Sequence, residues 1–109
     1  MIGKIKFSEL EKMDLRVGTI LNAENHPNAD KLYVLKIDLG DEERTVVAGI
    51  RKAYTVKQLV GKKVIVFANL EPAMLRGVKS EGMVLAAVDG EKVKILTTDK
   101  DVGNGAKIR

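Results

Sequence analysis

The chain has 109 residues, a length that suits one domain over 1–109, and its 45% hydrophobic and 31% charged content allows a buried core and excludes a disordered chain. It has no cysteine, which rules out a disulfide framework and a thiolate metal site, and it has no run near the roughly 18 apolar residues of a membrane span. The net charge is only +4, yet the segment from Arg51 to Lys79 alone carries +6, which points to an anionic partner for that segment.

The N-terminus, MIGKIKFSELEKMDLRVG, lacks the continuous apolar core of a signal peptide. A cytoplasmic protein with no membrane association is expected. Ser8 and Glu11 have the spacing of a capping box and predict one short helical turn, with Ile5, Phe7, Leu10 and Met13 on its apolar side. Asp14 to Asn25 reads as a long strand with Leu15, Val17, Leu21 and Ala23 on one face. Gly18 within it suits a sharp bend or a bulge. His26-Pro27-Asn28-Ala29-Asp30 is a turn, with Asp30 expected to cap or brace it. Leu32 to Leu39 is a second strand, with Tyr33, Leu35, Ile37 and Leu39 facing the core. Gly40 to Glu43 turns the chain into a third strand over Arg44 to Ala48.

Thr55 is a candidate N-cap for a helix over Val56 to Val60, and Gly61 ends it. Lys63 to Asn69 is the fourth strand and Met83 to Val88 the fifth. Asp89-Gly90 predicts a tight turn, and Val93 to Thr97 pairs back. The tail to Arg109 has room for one short strand. Three strands, a short helix and two or three further strands match the OB-fold, an all-β, five-stranded Greek-key barrel with a helix between strands three and four. Here it would carry small N- and C-terminal extensions. A small barrel without the helix is the alternative.

Between the fourth and fifth strands lies NLEPAMLRGVKSEGM, read as a loop held by rigid neighbours. Arg76 can grip a phosphate with two nitrogens or stack on a base. Lys79 offers a point charge, Asn69 both a donor and an acceptor for a base edge, and Ser80 a hydroxyl. Met83 is either a base contact or core. Lys31 and Lys52 are further candidates for phosphate. His26 has two readings: a phosphate or base contact, or a turn residue bonded to local backbone. With Phe7, Tyr33, Tyr54 and Phe67 as the only aromatic residues, an extended stacking platform is poorly supplied. Recognition of shape and phosphate fits better. No catalytic constellation, cofactor motif or metal-ligand spacing is evident, so an enzyme is not expected.

Four ordered blocks carry a resemblance. They are Asp14-Leu15-Arg16-Val17-Gly18, His26-Pro27-Asn28-Ala29-Asp30-Lys31-Leu32, Leu59-Val60-Gly61-Lys62, and Asn69-Leu70-x-Pro72 followed by Arg76-Gly77-Val78-x-Ser80-x-Gly82-Met83. Together they resemble the tRNA-binding domain family, which includes the C-terminal domain or beta subunit of methionyl-tRNA synthetases, EMAP-II-type domains and stand-alone tRNA-binding proteins. The resemblance implies an OB-fold and non-catalytic binding of folded tRNA. It also implies a homodimer, and a methionyl-tRNA synthetase catalytic chain as a possible partner. It gives Asn69, Arg76, Ser80 and Met83 a tRNA-contact role, with Lys31 beside them. A secretion-chaperone branch shares the fold, so a protein-binding module is the alternative. Ala73-Met74 stand where family members often carry basic residues, and Val56 where they often carry proline. For the dimer, the apolar faces on both sides of Val64–Phe67 and Met83–Val88 suggest that a partner covers one of them.

Overall fold

In the computed structural model, residues 3–109 are described. The elements run α1 (Phe7–Glu11), β1 (Leu15–Asn25), β2 (Tyr33–Asp38), β3 (Glu43–Ala48), α2 (Val56–Leu59), β4 (Lys63–Phe67), β5 (Ala73–Leu75), β6 (Val78–Ser80), β7 (Met83–Val84), β8 (Ala86–Asp89) and β9 (Lys92–Ile95). The main sheet is antiparallel, in the order β3-β2-β1-β4-β7, and it curls into a nearly closed OB-fold barrel. Its length lets β1 serve two partners: Thr19–Asn25 pairs with β2 and Leu15–Thr19 with β4. The helix α2 sits between β3 and β4 as expected, capped by Thr55, whose hydroxyl accepts from the Gln58 amide while the Gln58 side chain accepts from the Thr55 amide.

The inward face of β1 differs from the alternation read in the sequence. Gly18 and Ile20 point inward, and a bulge between Ile20 and Asn22 switches the parity so that Ala23 is the next buried residue. Leu21 is left exposed. Gly18 is needed because a Cβ there would stand 2.6 Å from Ile37 Cγ2 and 3.0 Å from the Asp38 carbonyl oxygen. The bulge thus lies just past the glycine, not on it. On β2 the expected face holds: Tyr33, Leu35, Ile37 and then Leu39 are all buried.

The capping box at Ser8 does not form. The helix α1 begins two residues earlier than a Ser8 cap would set, with Lys6 at its N-cap and no side-chain cap, and it buries none of its residues. Phe7 remains 72% exposed. The fifth strand breaks after Val84, and Ala86–Asp89 turns away to form a hairpin with β9. Nor does β4 await a partner, since Val64, Ile65 and Val66 are all buried within the chain. Val64 and Val66 join the main core, while Ile65 pairs with Val17 on the outer face. There the C-terminal tail runs alongside β1, with bonds from the Val17 amide to Ala106 and from the Ile108 amide to Leu15.

An ion network secures the start of β1. Arg16 donates to both carboxylate oxygens of Asp14 and reaches Asp41 at 3.2 Å. The Arg16 hydrogen bonds hold the Asp14 carboxyl below its ordinary value of 3.8, against the opposing effect of partial burial. A folded-state value below the unfolded one means the stabilisation is present above 3.8 and is lost as pH falls through the lower value. Asp14→Asn is expected to cost about 1 kcal/mol at neutral pH. It should also flatten the acid limb of the stability profile below about pH 4, as read by urea unfolding at a series of pH values.

Candidate nucleic-acid interface

The stretch read as a loop is mostly a hairpin. Ala73 pairs with Ser80, Met74 with Lys79 and Leu75 with Val78. Only Arg76 and Gly77 remain in the turn, at φ 53° and 90°. Two positive φ values in a two-residue turn are the mark of type I′, the form whose twist matches antiparallel strands. Glycine takes this conformation freely, whereas arginine is strained in it. An exposed, positively charged residue is therefore held at the tip at some conformational cost, a pattern that favours function over stability.

The two faces of the hairpin differ. Ala73, Leu75, Val78 and Ser80 share one face, and Ser80 is only 4% exposed. Its hydroxyl accepts from the Val47 amide at 2.9 Å and donates to the Gly82 carbonyl at 3.0 Å. Ser80 is thus a strut between β3 and the hairpin, and burial removes it from any surface contact. Asn69 is likewise engaged. Its Oδ1 accepts from the Asp14 amide at 2.8 Å and its Nδ2 donates to the Lys12 carbonyl at 2.7 Å. Both groups that would read a base edge tie the end of β4 to the approach of β1. On the opposite face, Met74 and Lys79 point outward, and Met74 is 66% exposed. Met83 is half exposed on the short strand β7.

The 26–31 turn meets this hairpin. His26 is buried, at 4% exposure. Its Nδ1 accepts from the Asn28 amide at 2.9 Å, so the proton sits on Nε2, which donates to the Leu75 carbonyl at 2.8 Å. Asn28 Nδ2 donates to the Arg76 carbonyl at 3.2 Å. The expected brace, Asp30, is exposed, and His26 with Asn28 does the bracing. Pro27 holds the backbone between them.

Arg51 is the basic residue here that sequence reasoning did not select. Its amide donates to the Lys31 carbonyl at 3.4 Å and its Nη1 to the Ala29 carbonyl at 3.4 Å. Its guanidinium lies 6.0 Å from the centre of the Tyr33 ring. The signal available was its place just after Ile50, in register to continue past Ala48 opposite Tyr33. Exposed Lys31 and Lys52 flank it. Lys31, Arg51, Lys52, Arg76 and Lys79, from three separate segments, thus gather at the end of the barrel where β2 begins. Asp38, Asp41, Glu42 and Glu43 lie at the other end of β2, roughly 20 Å away for a six-residue strand. Lys63, by contrast, is drawn off to Asn104 at 2.8 Å, and Lys62 packs 5.9 Å from the Tyr54 ring centre. The two aromatic rings nearest the basic end are used internally. Tyr33 Oη donates to the Tyr54 carbonyl, and Tyr54 Oη accepts from the Ile95 amide. No group of three or more potential metal ligands occurs among the described residues.

Residues 15–107 match the model of the family described as "Putative tRNA binding domain". The chain belongs to the tRNA-binding domain family. It is 57% identical over 105 residues to a methionine–tRNA ligase of Pyrococcus abyssi, a match covering 96% of this chain and 14% of that protein. The chain therefore spans about a seventh of the curated relative it matches. The crystal structure of a MetRS related protein from Pyrococcus horikoshii superposes with a TM-score of 0.93 at 34% identity, covering 99% of this chain and 100% of that one. That of a CsaA chaperone protein from Picrophilus torridus does so with a TM-score of 0.90 at 35% identity, over 97% and 100% of the two chains.

The strained tip predicts a separation of stability from function. Arg76→Asn places a residue that tolerates left-handed backbone in the type I′ turn, so thermal unfolding should show an unchanged or slightly raised Tm. A fall in Tm of several degrees would mean that the arginine side chain supports the hairpin.

Proposed function

We propose that this domain acts without catalysis, holding folded tRNA by its shape and phosphates through the basic end of the barrel. The single observation that carries this reading is the convergence of Lys31, Arg51, Lys52, Arg76 and Lys79 on one end, where Asp30 is the exposed acid of the 26–31 turn, with Asp38, Asp41, Glu42 and Glu43 at the other. Such a charge axis steers an anion toward one face. Arg51, fixed against Tyr33, and Arg76, fixed at a rigid tip, offer guanidinium groups suited to phosphate. Met83 and outward-facing Met74 add soft apolar contacts for an unstacked base. Asn69 and Ser80 serve the site from beneath by fixing the strand ends. No cofactor is required. A synthetase catalytic chain in the cytoplasm is the natural recipient of the held tRNA, whose local concentration the domain would raise.

Binding of folded tRNA, against an unstructured RNA of equal length, tests this across a salt series. Preference for the folded RNA is expected, with affinity falling steeply in salt. Arg76→Ala and Arg51→Ala should each lose about tenfold and reduce the salt slope by about one contact. Equal affinity for both RNAs would reject shape recognition. The similarity to CsaA chaperones, together with exposed Met74, Leu75 and Met83, supports a second reading as a protein-binding module. That reading predicts binding of unfolded peptides that is insensitive to salt.

We also propose that the domain pairs with a second copy of itself through α1. Phe7 and Leu10 are exposed there, beside Met13 and Ile108, around a cleft of about 250 Å³. Bare apolar groups on a helix that buries nothing favour a covering partner. Light scattering at micromolar concentration should give the dimer mass, and Phe7→Glu should give the monomer with its unfolding transition intact. A monomeric wild type would reject the dimer.

A further inference from the structure

The hairpin that carries Arg76 is three residues on a side, too short to be stable alone. Its tip residue is an arginine in the left-handed region, a conformation that it leaves readily unless held. Two successive carbonyls at that tip, Leu75 and Arg76, are each gripped by a side chain from the 26–31 turn. The grip on Leu75 comes from a buried imidazole whose other nitrogen is satisfied by the Asn28 amide, so His26, Asn28 and the tip form one closed chain of hydrogen bonds. Buried and with both nitrogens occupied, His26 has nothing left to offer a ligand.

We propose that His26 and Asn28 are positioning residues for nucleic-acid binding, which fix the direction in which the Arg76 guanidinium leaves the turn. The proposal rests on the reading of the hairpin as an RNA contact. Holding the carbonyl of the strained residue sets its backbone torsions. The side chain is thereby presented outward before RNA arrives, and less ordering entropy is lost on binding. The turn also links the two arginines, since Ala29, next to Asn28, accepts from Arg51. Phosphate contacts on the hairpin and on the segment after β3 are thus held in one geometry.

A double-mutant cycle tests this, with bulk folded tRNA as the probe at one fixed salt concentration. Asn28→Ala removes an exposed side chain and keeps the fold, whereas His26→Ala would empty a buried site, so Asn28→Ala carries the cycle. Asn28→Ala and Arg76→Ala are each expected to lose about five- to tenfold, and the double variant no more than Arg76→Ala alone. Additive losses would overturn the proposal and make Asn28 a contact in its own right. Unchanged affinity in Asn28→Ala, with Arg76→Ala weakened, would overturn it while leaving the RNA reading intact. Unchanged affinity in Arg76→Ala would overturn both. Without RNA, hydrogen exchange of the amides at 75–78 should quicken in Asn28→Ala while the barrel amides stay protected. Wild-type protection there would likewise overturn the positioning role.

Discussion

The seam between β3 and the strands after β5 is the constraint on which the rest of the molecule depends. A five-stranded sheet closes into a barrel only if its two edges meet, and here no continuous ladder joins them. A few side-chain and backbone bonds do so instead. The Ser80 hydroxyl takes the Val47 amide, the Glu81 amide donates to Thr45, and the Arg44 guanidinium reaches the carbonyls of Ala68 and Glu81. Glu42 pairs with the same arginine and holds it in place. In a buried seam these bonds count heavily, because each unmade one would strand a polar group without water.

Closing the seam also docks the hairpin. Ser80 ends β6, so the bond that seals the barrel fixes one strand of the element bearing Arg76 and Lys79. The 26–31 turn fixes the other strand and the tip. The hairpin is thus gripped at its base by β3 and at its end by the first long turn, and neither grip uses the outward face. That division leaves Met74, Lys79 and the Arg76 side chain free. A rigid scaffold with a strained, charged tip suits binding a large anion whose own shape is fixed.

Charge follows the same geometry. The sequence concentrates positive residues between Arg51 and Lys79, but folding sorts them. Lys63 is turned to Asn104, and Lys57 lies exposed on α2. Arg51, Lys52, Arg76 and Lys79 go to the end where Lys31 emerges. The acidic β2–β3 turn is carried to the opposite end because the six residues of β2 lie between them. Antiparallel pairing converts a diffuse bias along the chain into a charge axis across the barrel.

The sequence by itself determined the barrel class, the position of the second helix and the face of β2, because period-two alternation, the Thr55 cap and glycine turns act within a few residues of one another. The four-block pattern determined the family, and so the expectation of tRNA. Only the tertiary structure decided which site residues remain available. Asn69 and Ser80 carry donors suited to nucleic acid, yet their partners, Lys12, Asp14 and Val47, are more than thirty residues away. The same holds for His26, whose bond to Leu75 spans 49 residues, and for Gly18, whose need arises from Ile37 across the sheet. The bulge in β1 and the placing of Arg51 depend on pairing between strands far apart in the chain, which local alternation and capping cannot encode.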